Sequence, residues 1–335
     1  MKLEVGLGGI GNVSFYTMQT NCQAVMMNKE PGHTKDVEPP DDLSLIKTRL
    51  INSSHDIRMS QPEGITYQHT VFCQTGLPYR NPGDELRRWE RKQGNASLLI
   101  NAGEIINPKT QDFVDVGLPF GPKPRLILTH LNSQALKTGS PVIEVESSLT
   151  AFVKRLGLDG NGRDIRAIKD HLSRLSVATI RLGFVLENRA VQVNTQIVKA
   201  FDLWFQKNEH QRVLWPSTVQ LSEDYFQSLV KHAVPLDERA VAALSHSAMC
   251  LDVYAWLAQR LHRVKKEQPQ FITWVALKDQ FGYHYDRMDN FKRVFRTTLS
   301  MVHSQYPDAR FQIDGKGMTL QHSQPPIRSR SHLLS

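Results

Sequence analysis

Along this chain the apolar positions switch between a helical spacing of three or four and an alternation of two, and the switches mark the elements. Residues 97–100 and 105–116 predict short strands broken by Asn107-Pro108-Lys109-Thr110, a turn composition. Residues 125–138 predict a helix with Leu126, Leu128 and Leu131 among its apolar positions, and residues 142–145 a short strand. Ser147 or Ser148 can cap a second helix over 149–156. Residues 157–162 are a Gly-rich turn, and 163–176 a third helix. Strands over 179–186 and 190–195 follow, separated by Glu187-Asn188-Arg189, a hairpin composition.

The order then recurs. Asp237 can cap a long helix reaching residue 266, with Val241, Leu244, Ala248, Leu251, Ala255 and Ala258 as its stripe. That stripe serves either as the core face of this helix or as a dimer seam, the core face being favoured. A strand over 271–276, a helix over 277–281, a turn at Gly282 and a third helix over 288–303 follow. Residues 310–313 and 318–321 close a hairpin around Asp314-Gly315. Helix, strand, helix, helix, hairpin is the order of a winged helix. The expected fold is therefore α+β, two tandem winged-helix domains over 71–200 and 237–321, joined by a connecting segment over 201–236. The polar, proline-rich segment over 31–42 and the Ser, Pro and His composition near the end predict disordered tails over 1–70 and 322–335.

At about 100° per residue each third helix divides into two faces. In the first, Ile165, Ile168, Leu172 and Leu175 share one side; Arg163, Arg166, Asp170, Ser173 and Arg174 share the other, with Lys169 at the flank. In the second, Phe291, Val294, Phe295, Thr298, Met301 and Val302 face inward; Lys292, Arg293, Arg296, Thr297, Ser300 and His303 face out. A solvated face usually mixes signs, whereas these carry Arg with Ser and Thr and few acids. Arg can fork onto a guanine edge, and Ser and Thr bond bases or phosphates. The two faces together point to the major groove of duplex DNA. Arg181, Arg189 and Lys316, on the two hairpins, are candidate phosphate contacts.

Charge supports the same partner. Lys and Arg total 41 against 33 acids in 335 residues, a net +8. Cys22, Cys73 and Cys250 form no metal-binding spacing and suit a reducing cytoplasm. No run approaches the length of a membrane span, so no membrane partner is expected. Met26-Met27 before Asn28-Lys29-Glu30 reads as the start of translation, with residues 1–25 extra.

Enzyme motifs fail in context. Gly6-Leu7-Gly8-Gly9-Ile10-Gly11 has the GxGxxG form, but no βαβ unit follows. There is no Walker loop, HExxH or GxSxG, and His284 stands between two tyrosines rather than in a His pair for a nickase. The expectation is a non-enzyme without catalytic residues, metal or cofactor.

Four blocks carry a family resemblance: Leu77-Pro78-Tyr79-Arg80-Asn81-Pro82, Leu98-Leu99-Ile100-Asn101-Ala102-Gly103, Val116-Gly117-Leu118-Pro119-Phe120-Gly121, and residues 152–158 continued by 163–175. In this order they resemble the plasmid RepA-type replication initiators. The resemblance implies binding to iterons (directly repeated origin sites), local opening of the origin, and recruitment of the host initiator DnaA and the replicative helicase. It also implies autorepression as a homodimer. A winged-helix repressor without a replication role, and an adaptor for acidic protein partners, are the alternatives.

Overall fold

The computed structural model describes residues 42–328, apart from 108–109, 145–147, 187–188 and 201–217. The GxGxxG run, Met26-Met27 and Cys22 lie outside the described residues, as does the side chain of Arg189.

The entrance to the described chain is helical rather than loose. Helix α1 spans Asp42–Met59. Strand β1, Ile65–His69, leads into helix α2, Thr70–Thr75, which the His69 ring caps by accepting the N–H of Val71. Strands β2, Arg88–Gln93, and β3, Ala96–Asn101, form a hairpin; β4, Glu104–Ile106, and β5, Phe113–Asp115, form another. In β2 the exposed Arg88, Glu90 and Lys92 alternate with the half-buried Trp89 and Arg91, the period of a strand with one packed face.

The first repeat follows. Pro122 and Pro124 open helix α3, Pro122–Thr138, where missing N–H groups cost least, and Gly139 in the left-handed region ends it. Strand β6 is Val142–Glu144. Ser148 caps helix α4, Leu149–Arg155, and Asn161 caps helix α5, Gly162–Val177. The hairpin is β7, Thr179–Leu186, with β8, Arg189–Gln196; β9, Val198–Ala200, follows in a different sheet. Strand β10, Thr218–Leu221, helix α6, Glu223–His232, and strand β11, Ala233–Asp237, lie between the repeats.

The second repeat begins with a correction. One long helix was expected over 237–266, but Asp237 caps a short α7, Glu238–Ala243, and Ser247 caps a separate α8, Ala248–Arg260. Ser247 accepts the N–H of Cys250 with its side chain, starting a new helix where periodicity alone runs through. Strand β12, Gln270–Thr273, also ends earlier than expected, because the Thr273 hydroxyl caps helix α9, Trp274–Phe281. Helix α10, Met288–Gln305, and strands β13, Phe311–Ile313, and β14, Gly317–Leu320, complete the repeat.

Mixed helix and small antiparallel sheets make the fold α+β. In the second repeat the strand order is β12-β14-β13, so the strand after the first helix pairs with the hairpin. In the first repeat the hairpin instead pairs with β3, giving the sheet β2-β3-β7-β8, and β6 pairs with β10 in the sheet β6-β10-β9.

Three segments expected to stay outside the core belong to it. Residues 65–69 pair with residues 233–237 through five register positions, and Gln305 of α10 donates to the backbone of Leu50 in α1. The expected connection contributes buried Tyr225 and Leu229, and the Tyr225 hydroxyl donates to Asn132 Oδ1 at 2.9 Å. In the expected tail, the Ser323 hydroxyl accepts the Arg310 N–H at 2.9 Å and Ile327 is buried. The stripe on α7 and α8 is consumed inside the chain: Leu244, Ala248, Leu251, Ala255 and Ala258 are all buried. It therefore cannot serve as an open dimer seam.

One buried ion pair ties the first helices of the two repeats together. Arg125 of α3 forks onto Asp252 of α8 through Nε–Oδ1 and Nη2–Oδ2 bonds, each 2.7 Å. Its remaining N–H groups reach the carbonyls of Leu77, Pro78 and Gly121. Burial opposes the charge on Arg125, but Asp252 beside it outweighs burial and the guanidinium pKa is raised. Removing one partner leaves an uncompensated buried charge, a loss of about 3–5 kcal/mol. Asp252→Ala should lower the unfolding free energy by that amount in a denaturant titration; a loss below about 1 kcal/mol would contradict this assignment.

Three histidines, His69 and His171 buried and His130 half-buried, give the fold an acid limit. Burial is the main cause in each case, lowering His69 to about 3 and His130 and His171 to about 4. Unfolded, each titrates near 6.5, so below that pH the unfolded chain takes up protons that the folded chain refuses. Stability is complete above 6.5 and falls toward pH 4, by up to about 1.4 kcal/mol per pH unit for each histidine. A melting series from pH 7.5 to pH 4 checks this, and a flat profile between 6.5 and 4.5 would contradict it.

Candidate nucleic-acid interface

The second repeat builds a continuous basic edge. Arg293, Arg296, Thr297 and Ser300 are exposed on α10, opposite the buried Phe291, Phe295, Thr298, Leu299 and Val302. Lys292 and Arg296 lie 5.2 and 5.4 Å from the ring centre of Trp274. The Trp274 indole N–H donates to the carbonyl of Asp314, in the hairpin turn, at 3.0 Å. Trp274 is thus a buried platform that sets α10 against the β13–β14 turn. The Asp314 carboxylate accepts the N–H groups of Gly317 and Lys316, which shape that turn and hold its pKa below the usual carboxylate range. Lys316 is exposed beside them. Trp274 is a site residue the wheel analysis missed, because a buried aromatic at a helix start has no charge pattern to reveal it.

The first repeat keeps only part of its expected face. Arg163 and Arg166 are exposed in the first two turns of α5, and Lys169 is half-buried. A cation in the first turn works against the helix dipole, so the Arg163 charge is not placed there for helix stability. Arg181 is exposed on β7. Ser173 and Arg174 are corrections. The Ser173 hydroxyl is buried and donates to the carbonyl of Lys169. Arg174 is only 13% exposed in its side chain, pairs with Asp170 at 2.8 Å and donates to the carbonyl of Leu118. Its guanidinium also stands 5.3 Å from the ring of Phe120. Arg174 is a clamp on the 118–120 segment, not a free reader.

Two further segments pack around the turn before α10. Tyr79 packs against the α9–α10 turn: its ring stacks on Tyr283 at 5.8 Å, and its N–H donates to the Tyr283 hydroxyl at 2.8 Å. Trp89 meets the same tyrosine ring at 4.8 Å. Arg91 sits 5.2 Å from it and donates to the carbonyl of Asp279. Arg87 bonds the carbonyls of Val116, Ala102 and Gly103. Tyr79, Trp89 and Arg91 hold the turn that leads into α10, whereas Arg87 ties the start of β2 to the backbone at 102–103 and 116.

Residues 118–276 match the family model of the plasmid encoded RepA protein. Over that stretch the chain is similar to the plasmid encoded RepA proteins. The RepA segment runs from Leu118, at the Arg174 clamp, to Ala276 in α9, so it spans the first repeat and enters the second. No curated protein matches the chain in sequence. Among solved structures, a selenomethionine crystal structure of domains 2 and 3 of RctB is similar at 10% identity and a TM-score of 0.47, covering 76% of this chain and 98% of that one. A second RctB domain 2–3 structure has 10% identity and a TM-score of 0.41, covering 78% and 92%. Among the described residues no helix is long and apolar enough to cross a membrane, and no His, Cys, Asp and Glu cluster is arranged to hold a metal.

The Arg174 geometry makes a prediction. Arg174→Ala removes a charge-assisted bond and a ring contact, so it should cost roughly 1–3 kcal/mol of stability. Its loss should leave the binding preference of the folded protein unchanged. Denaturant unfolding measures the first and a binding selection on randomised duplex the second; a changed base preference without destabilisation would return Arg174 to the reader face.

Proposed function

We propose that this protein is a plasmid replication initiator, not an enzyme, that reads iterons in duplex DNA through two tandem winged-helix repeats. One observation carries the reading: exposed arginines stand on the third helix of both repeats, Arg163 and Arg166 on α5, Arg293 and Arg296 on α10. The N-terminal residues of a helix lying in the major groove reach the base edges. Arg163, Arg166, Lys292 and Arg293 lie in the first two turns of their helices. Lys316 and Arg181, on the hairpins, would meet the backbone, as positioning rather than sequence contacts. Each repeat reads half of an iteron. The RepA match supports the origin as target, and with it opening of the duplex, recruitment of DnaA and helicase, and autorepression of the chain's own gene.

Specific binding should fall steeply with salt, log K dropping about 0.9 per neutralised phosphate for each unit of log salt. Equal affinity for cognate and scrambled duplex across a salt series would overturn the reading. Within the complex, Arg166→Ala should relax selectivity in one half-site, and Arg293→Ala or Arg296→Ala in the other. Each lost base contact should cost about 1–3 kcal/mol at its own position. Selection from randomised iterons separates the outcomes, and disturbance of the same half-site by both sets would exclude two readers.

A further inference from the structure

Where the first sheet meets the second repeat, the surface sinks into a hollow of about 400 Å³. It lies apart from the basic edge: Gln270 on its wall pairs with Leu320, whereas Thr273, at the other end of β12, pairs with Gly317 beside the hairpin turn. Three cations line it. Lys231 is in the last turn of α6, Arg260 ends α8, and Arg263 lies in the single 3-10 turn that follows. No aspartate or glutamate among the described residues lines it with them.

The cations therefore act on one another. Arg260 has its pKa lowered by burial and then by Arg263; His232, on the same wall, is lowered by burial and then by Lys231 and Arg263. Like charges gathered without a counter-charge raise the energy of the empty protein, and a bound anion relieves it. A second observation points the same way. Gln259, 3% exposed, lines the hollow with its Oε1 lacking any partner, while its Nε2 meets the Thr70 hydroxyl at 3.3 Å. That hydroxyl donates as readily as it accepts, so the amide can turn over and offer its N–H groups to an incoming oxygen.

We propose that this hollow is a phosphate-binding pocket, taking a phosphate group carried by a nucleic-acid strand or free in solution. Two guanidiniums and an ammonium suit the anionic oxygens of a phosphate, with arginine forking onto two of them. The volume leaves room for more than the phosphate. Phe184, whose ring stands edge-on to His232 at 4.5 Å, supplies an apolar wall for what the phosphate carries.

The test uses the full chain and the variant Lys231→Gln/Arg263→Gln. Both side chains are exposed, so the fold should be retained, as circular dichroism would verify. In the first arm inorganic phosphate is titrated against sodium chloride of equal ionic strength. It should raise the Tm of the natural protein by roughly 2–4 °C more than that of the variant. A general salting effect would raise both equally. In the second arm the salt slope of duplex binding is compared. A strand phosphate in the pocket predicts a slope shallower by about 0.9 in the variant. An unchanged slope with a lost phosphate response identifies free phosphate as the ligand. Equal behaviour of the two proteins in both arms overturns the proposal. If the natural protein binds no duplex yet its phosphate response needs these residues, the DNA reading fails and the pocket stands.

Discussion

The fold hangs on the bidentate pair between Arg125 and Asp252. A buried guanidinium is tolerated only where its charge and all its N–H groups are met. Here Asp252 meets the charge, and the carbonyls of Leu77, Pro78 and Gly121 take the remaining N–H groups. These partners come from the entry segment and from helices of both repeats. Satisfying one side chain therefore requires all three parts to be in place together. The Tyr79 ring, 5.1 Å from the same guanidinium, extends the knot to Tyr283 and so to the start of α10.

A second set of constraints comes from the backbone. The first repeat takes strands from both flanks: β3 extends its hairpin, and β10 covers β6. The pairing of β1 with β11 then closes the chain between α2 and α7. None of these ladders joins residues close in sequence, so each holds distant parts of the chain at one register.

That explains which parts of the molecule were legible beforehand. The third helices and both hairpins were, because a helical stripe or a two-residue turn is written locally. Strand β2 was not, since four of its six residues are charged and its one aromatic sits on the packed face. Residues 42–69 and the 218–237 segment looked like tail and linker because their partners lie far away. The α7–α8 break was hidden by a stripe that continues across it, while Ser247 quietly starts a new helix. On the site, the wheel placed Arg163, Arg166, Arg293 and Arg296 correctly outward. It failed at Ser173 and Arg174 because a wheel knows only its own helix. The Leu118–Phe120 segment that covers Arg174 comes from before α3.

The aromatic knot around Tyr283 has a consequence for the target. With Tyr79, Trp89 and Arg91 gripping the turn before α10, the second third-helix cannot swing freely about the first repeat. On the proposed reading the two helices act as a caliper of fixed opening. Each base pair inserted between two half-sites turns the second groove by about 35° about the duplex axis. A hinged protein would follow that rotation; a caliper does not, so the spacing inside the repeat becomes as much a part of the recognised sequence as its bases.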